Sequence, residues 1–170
     1  MADKIKNVLF LCTGNACRSI IAEALLNHLG SGRFRAFSAG SRPAGRVNPK
    51  TLEALARRGI AAPGARSKSW DEFARPGAPV MDGIITVCDN AAGEVCPVWP
   101  GHPATGHWGV ADPGAREGTP AEKAAFDDTV RKLEARVRKF LALPFESLDG
   151  PALKRRLDEI GETADDAAER

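Results

Sequence analysis

The chain has 170 residues, with 24 lysines and arginines against 22 aspartates and glutamates, a formal net charge of +2 at pH 7. That length suffices for one full hydrophobic core, and the near-neutral balance leaves no electrostatic footprint for nucleic acid or for an anionic membrane surface. No apolar run approaches a membrane span, and Met1 to Lys6 lack the apolar region of a secretory leader, so a cytoplasmic protein is expected. In that reducing compartment Cys12, Cys17, Cys88 and Cys96 are not expected to form a disulfide framework; each is a core filler or a chemical group.

Asn7 to Leu11 reads as a fully buried strand. It runs into a short polar loop, and from Ile20 the apolar residues Ile21, Leu25 and Leu29 recur at helical spacing until Gly30. Arg33 to Ser38 makes a second strand, ended by Ala39-Gly40. Asn48 followed by Pro49 is a helix start, and the helix is expected to turn Leu52 and Leu55 inward and to end near Gly59. Ala61 to Pro79 is poor in pattern, with Ser67, Ser69 or Asp71 as possible caps. Gly83 to Val87 is another buried-type strand, and it delivers Cys88 at its C-terminal end. Asp89 to Gly106 is rich in glycine and proline and too long for a plain connection, which suggests a working role. His107 to Val110 is expected to form a short last strand before Ala111-Asp112-Pro113. Thr119-Pro120-Ala121-Glu122 then has the form of a capping box, opening a helix that buries Phe126, Val130, Leu133, Val137 and Phe140 and stops at Pro144. A short helix around Leu153, Leu157 and Ile160 leads into an acidic tail from Gly161.

The alternation of strands and helices predicts an α/β fold: a four-stranded parallel open sheet with helices on both faces. A single domain is expected over 1–144, with a helical extension and tail over 145–170. Ligands of such sheets bind beyond the carboxyl ends of the strands. Topology therefore brings Cys12 with its loop, Cys88 and Asp112 to one edge.

Cys12 and Arg18, five residues apart, lie between a buried strand and a helix. The amides of Thr13, Gly14, Asn15, Ala16 and Cys17, with those of the first helical turn, suit a tetrahedral oxyanion. Gly14 and Asn15 are the residue types that most readily take positive φ. Arg18 offers a planar two-pronged contact. Ser19 is placed to donate to Cys12, whose thiol in that field is expected to be ionised near neutral pH. A buried apolar thiol is the plainer reading of Cys12, but it needs neither the arginine nor the turn residues. Asp112-Pro113 fits a proton donor to a departing oxygen and equally an ordinary Asp-Pro turn.

The stretch Cys12-Thr13-Gly14-Asn15-Ala16-Cys17-Arg18-Ser19 closely resembles the active-site loop of the low-molecular-weight protein tyrosine phosphatase family, and within it the branch that works as arsenate reductases. Further matches are Ser38-Ala39-Gly40, Val47-Asn48-Pro49, the pair Cys88 and Cys96, and His107-Trp108-Gly109 leading to Asp112-Pro113, so the likeness runs from Asn7 to Leu143. It implies that Cys12 is the nucleophile, Arg18 the oxyanion clamp and Asp112 the general acid, acting in reduction of arsenate to arsenite and so in arsenic detoxification. It further implies a relay in which Cys88 attacks Cys12, Cys96 attacks Cys88, and the Cys88–Cys96 disulfide is reduced from outside. No bound cofactor is implied, only an external thiol donor: thioredoxin, or glutaredoxin with glutathione. The gap between Cys88 and Cys96 is slightly longer than in thioredoxin-linked members, which leaves the donor open.

Other readings stand beside this one. A phosphatase acting on phosphomonoesters needs Cys12, Arg18 and Asp112 but no further thiol. A non-enzymatic thiol or metal-binding protein would use Cys88, Cys96, His102 and His107, whose spacing lacks the paired cysteines of structural zinc sites. Cys88 alone also reads as a strand-end core thiol, and Cys17 as a packing residue. Asn15, Glu23 and Ser38 match positions that hold potassium in some family members, but the aspartate completing that site aligns with Trp70. His28 reads as a helix-face residue; Trp70, Trp99 and Trp108 read as packing. The chain has no tyrosine, and Pro113 is followed by Gly114-Ala115-Arg116 rather than by aromatic residues. That open mouth suits a small tetrahedral anion such as arsenate, with phosphate or sulfate able to occupy the same loop.

Overall fold

Strand β1 (Lys6–Cys12) is the axis of the protein. The computed structural model describes residues 4–88, 99, 101 and 103–162. Within them four parallel strands lie in the order β2 (Phe34–Gly40), β1, β3 (Gly83–Thr86), β4 (Ala104–His107). β1 has a strand on each side and a covered face above and below, which is why Val8 to Cys12 are apolar at every position and all buried. Alternate side chains serve the two faces. Val8, Phe10 and Cys12 enter a large cluster, while Leu9 and Leu11 join Ala39, Phe73, Met81, Ile84 and Trp99 on the other side.

The large cluster is completed by four helices: α1 (Arg18–Leu29), α2 (Pro49–Arg57), α3 (Glu122–Leu141) and α4 (Gly150–Glu162). Among the described residues the second face carries the 3-10 turn Trp70–Phe73, whose preceding Ser69 accepts from the Asp71 N–H at 3.1 Å. Both faces therefore carry helical elements. α3 presents the expected row Phe126, Val130, Leu133, Val137 and Phe140. Among the described residues no helix is long and apolar enough to cross a membrane.

Three local expectations are corrected. The last strand is Ala104–His107 rather than His107 to Val110, so the presumed long loop contains most of a strand. Gly106 belongs in it because Leu157 of α4 fills the place of a side chain: a Cβ at Gly106 would stand 2.6 Å from the Leu157 Cβ. On α2, Leu52 is exposed while Thr51, Ala54 and Leu55 are buried; Thr51 turns in to donate its hydroxyl to the Ala16 carbonyl at 3.1 Å, which sets the helix phase. At the start of α3 the capping box is displaced. Glu122 accepts from the Gly118 N–H at 3.0 Å and Thr119 from the Ala121 N–H at 3.3 Å, one residue out of the reciprocal pattern.

Helix α4 is fastened to β4, an edge strand among the described residues. Asp158 accepts from the His107 N–H at 3.2 Å and Lys154 donates to the Thr105 carbonyl at 3.4 Å. Trp108, fully buried between Phe10 and Phe140, donates its indole N–H to the Leu157 carbonyl at 2.9 Å.

Candidate active site

Strand order 2-1-3-4 reverses direction between β1 and β3, and the crevice at that switch point is where open α/β sheets hold ligands. β1 ends on Cys12 and α1 begins at Arg18, so five residues turn the chain there. Asn15 adopts φ +48°, the single non-glycine residue with positive φ among those described; Gly14, expected to share that conformation, does not. Gly40, at the end of β2, lets the loop sit close, because a Cβ there would collide with the Thr13 carbonyl.

The loop carbonyls are held from outside. Arg42 N–H donates to Thr13 at 3.0 Å, Ala44 N–H to Gly14 at 2.9 Å, and Asn48 N–H to Ala16 at 3.1 Å. In a planar trans peptide an outward carbonyl turns the next N–H inward, so the amides of Gly14, Asn15 and Cys17 face the loop centre. Cys17, at the N-cap of α1, makes no side-chain capping bond, and no acidic residue lies in the first turn. The positive end of the helix is left for an anion.

The Cys12 sulfur lies in this ring, and the residue is 3 % exposed. It accepts the Asn15 N–H at 3.2 Å and meets Ser19 Oγ at 2.9 Å. Ser19 Oγ in turn accepts from Asn15 Nδ2 at 2.8 Å, and Asn15 Oδ1 accepts from the Lys68 N–H at 2.9 Å. With the Asn15 amide oriented by Lys68, the Ser19 hydroxyl proton is left for the sulfur. Two donors, the Asn15 N–H and the Ser19 hydroxyl, then face the Cys12 sulfur.

A cleft of about 200 Å³ opens over the sulfur, lined by Cys12, Gly14 and Asn15 to Arg18 on one side and by Asp112 and Gly114 on the other. Arg18 donates from Nη1 to the Val110 carbonyl at 3.0 Å, and its Nη2 lies 3.9 Å from Asp112 Oδ2. Asp112 is half exposed, and its other oxygen accepts from the Gly114 N–H at 2.9 Å, opening the short turn Pro113–Arg116. The Asp-Pro turn and the carboxylate at the mouth are thus the same feature. The segment before it is pinned by Arg136, which donates to the Gly109 carbonyl at 3.0 Å.

The Thr13 hydroxyl oxygen and the Cys88 sulfur meet at 3.7 Å. The register explains this: Leu11 pairs with Thr86, so two residues further on Thr13 stands level with Cys88. Cys88 is a buried thiol. Cys96 and His102 lie outside the described residues. Cys17 is also buried, and burial pushes its thiol up despite a hydrogen bond with Thr51. His28 is exposed on α1, and Trp70 and Trp99 pack edge to face at 6.4 Å.

Asn15, Glu23 and Ser38 do converge, and the structure adds a residue the sequence did not single out. Ser38 Oγ donates to Glu23 Oε1 at 2.8 Å and accepts from Lys68 Nζ at 3.4 Å; the same ammonium donates to the Arg66 carbonyl at 2.9 Å. Burial raises the Glu23 carboxyl above its ordinary value, opposed by the Lys68 charge and the Ser38 hydrogen bond. Burial likewise lowers the Lys68 ammonium, opposed by Glu23. A lysine in a pattern-poor stretch reads as a surface residue; only its place beside Gly40, whose N–H donates to the Lys68 carbonyl at 2.9 Å, draws it in.

Known proteins resemble this chain in sequence and fold. An arsenate reductase of Bacillus licheniformis is 39% identical over 137 residues, 79% of this chain and 94% of that protein. A solved structure described as an arsenate reductase in the phosphate binding state superposes with a TM-score of 0.64 at 25% identity, covering 81% of this chain and 98% of the other. The thioredoxin-dependent arsenate reductase of Corynebacterium glutamicum superposes with a TM-score of 0.59 at 29% identity, over 83% of this chain and 62% of that one. The family model for low molecular weight phosphotyrosine protein phosphatase matches residues 7–154, from β1 into α4. That match spans most of the chain, and the chain belongs to the low molecular weight phosphotyrosine protein phosphatase family.

Proposed function

We propose that this protein is a cytoplasmic arsenate reductase. Arsenate sits in the loop with its oxygens on the inward amides and on Arg18. The Cys12 thiolate attacks arsenic and forms an S–As bond, while one oxygen departs as water after taking a proton from Asp112. The Cys88 thiolate then attacks the Cys12 sulfur. The S–As pair passes to arsenic, which leaves as arsenite, and a Cys12–Cys88 disulfide remains: two thiols are oxidised and As(V) is reduced to As(III). Cys96 attacks Cys88 and restores Cys12, and an external dithiol reduces the Cys88–Cys96 disulfide. Thioredoxin is the favoured donor, since a structural relative is described as thioredoxin-dependent; glutaredoxin with glutathione is the competing one.

The observation that carries this reading over a phosphatase is Cys88 beside the nucleophile loop, linked to it through Thr13. Water releases a phosphoenzyme and has no use for that thiol. The test is Cys88→Ser with arsenate and each donor system. Turnover is expected to stop while an arsenic adduct forms on Cys12, visible by mass spectrometry, and weak hydrolysis of an aryl phosphate persists. Unimpaired arsenate turnover by this variant would refute the relay, and phosphatase activity with no arsenate reduction in the parent would favour the other reading.

A further inference from the structure

Lys68 is 8 % exposed, a depth at which an ammonium needs compensating partners. Its partners come from three parts of the chain: the Ser38 hydroxyl on β2, the Arg66 carbonyl on the connecting segment and, through Ser38, the Glu23 carboxylate on α1. Oxygen donors from separate elements around one compact positive charge are the surroundings of a monovalent cation. Here that charge is covalently attached.

The backbone of the same residue faces the reaction site. The Lys68 N–H holds Asn15 Oδ1, Asn15 Nδ2 holds Ser19 Oγ, and Ser19 meets the Cys12 sulfur. Asn15 also stays in its left-handed conformation, which costs energy outside glycine and must be held by its surroundings. We propose that Lys68 is a positioning residue: its ammonium acts as a tethered monovalent cation that locks the 66–69 segment to α1 and β2 and thereby fixes the Asn15–Ser19–Cys12 relay. The enzyme then has no need of a dissolved cation at this place. Lys68 touches neither substrate nor sulfur; it acts through Asn15. The inference rests on the reading of Cys12 as the nucleophile, and it is tested by a measurement that does not depend on arsenate.

That measurement is the rate at which iodoacetamide alkylates Cys12 near neutral pH, followed by peptide mass spectrometry in the full chain. Lys68→Met keeps the packing and removes the charge; Cys12 alkylation and arsenate kcat are each expected to fall about tenfold, with KM for arsenate much less affected. Lys68→Ala leaves room for an ion, and potassium chloride is expected to restore much of the alkylation rate, whereas tetramethylammonium chloride at the same ionic strength is not. The parent is expected to respond to neither salt specifically. A folded Lys68→Met with parental alkylation overturns the proposal. So does a Lys68→Ala variant that both salts restore equally, or neither. If the substitutions prevent folding, the parent alone decides: specific activation by potassium refutes the tethered cation, and indifference supports it. A parent that alkylates at Cys12 but reduces no arsenate would sink the reductase reading and leave the Lys68 test intact.

Discussion

Arg18 donates to the carbonyl of Val110, joining the loop that carries the nucleophile to the loop that carries the acid. One guanidinium spans both, with its second terminal nitrogen 3.9 Å from Asp112. Lysine would keep the charge and lose the fork. Arg18→Lys is therefore expected to lower kcat/KM for arsenate about a hundredfold with only a small change in thermal stability. Steady-state assays with a coupled dithiol system decide it, and a loss of less than about threefold would show that charge alone suffices.

Helix α4 meets β4 at Gly161, where a Cβ would run into the His107 carbonyl and come within 3.1 Å of the Trp108 ring. Gly161→Ala has no flexible neighbour to displace, since the obstacle is backbone. The helix must shift off the strand, at a cost of about 1–3 kcal/mol in urea unfolding. Trp108 lies four residues before Asp112, so a loosened contact is also expected to reduce turnover. An unchanged unfolding midpoint would mean that α4 is not tightly docked.

Glu23 gives a pH signature. Its carboxyl is raised in the folded chain, chiefly by burial, above the ordinary 4.5 of the unfolded one. Folded protein therefore binds more protons than unfolded protein between those values. The Glu23 contribution is fully present below the unfolded value and is lost as pH rises through the folded one. Glu23→Gln removes this dependence. Unfolding free energies measured from about pH 4 to 7 are expected to decline less steeply with pH in the variant than in the parent. Parallel curves would contradict the assignment.

What the chain revealed in advance follows from how local each feature is. The loop from Cys12 to Ser19 was legible because strand, turn residues, arginine and serine are contiguous, and the row on α3 because its period is helical from Phe126 to Phe140, about four turns. Gly106 misled the placement of β4, since a glycine in a strand makes sense only when Leu157, far along the chain, occupies its side-chain space. Leu52 misled in the same way: the phase of α2 is set by Thr51 reaching the Ala16 carbonyl, a tertiary contact that overrides apolarity. Lys68 was invisible because its burial depends on partners thirty and more residues away, on β2 and α1.

The fastening of α4 also bears on how these molecules meet one another. An edge strand with unused N–H and C=O groups is a template on which a second chain can add a strand. On β4 the Thr105 carbonyl and the His107 N–H are already taken by Lys154 and Asp158, and Leu157 fills the hollow over Gly106. The same helix that steadies the approach to Asp112 thus closes that border of the sheet to sheet-to-sheet polymerisation.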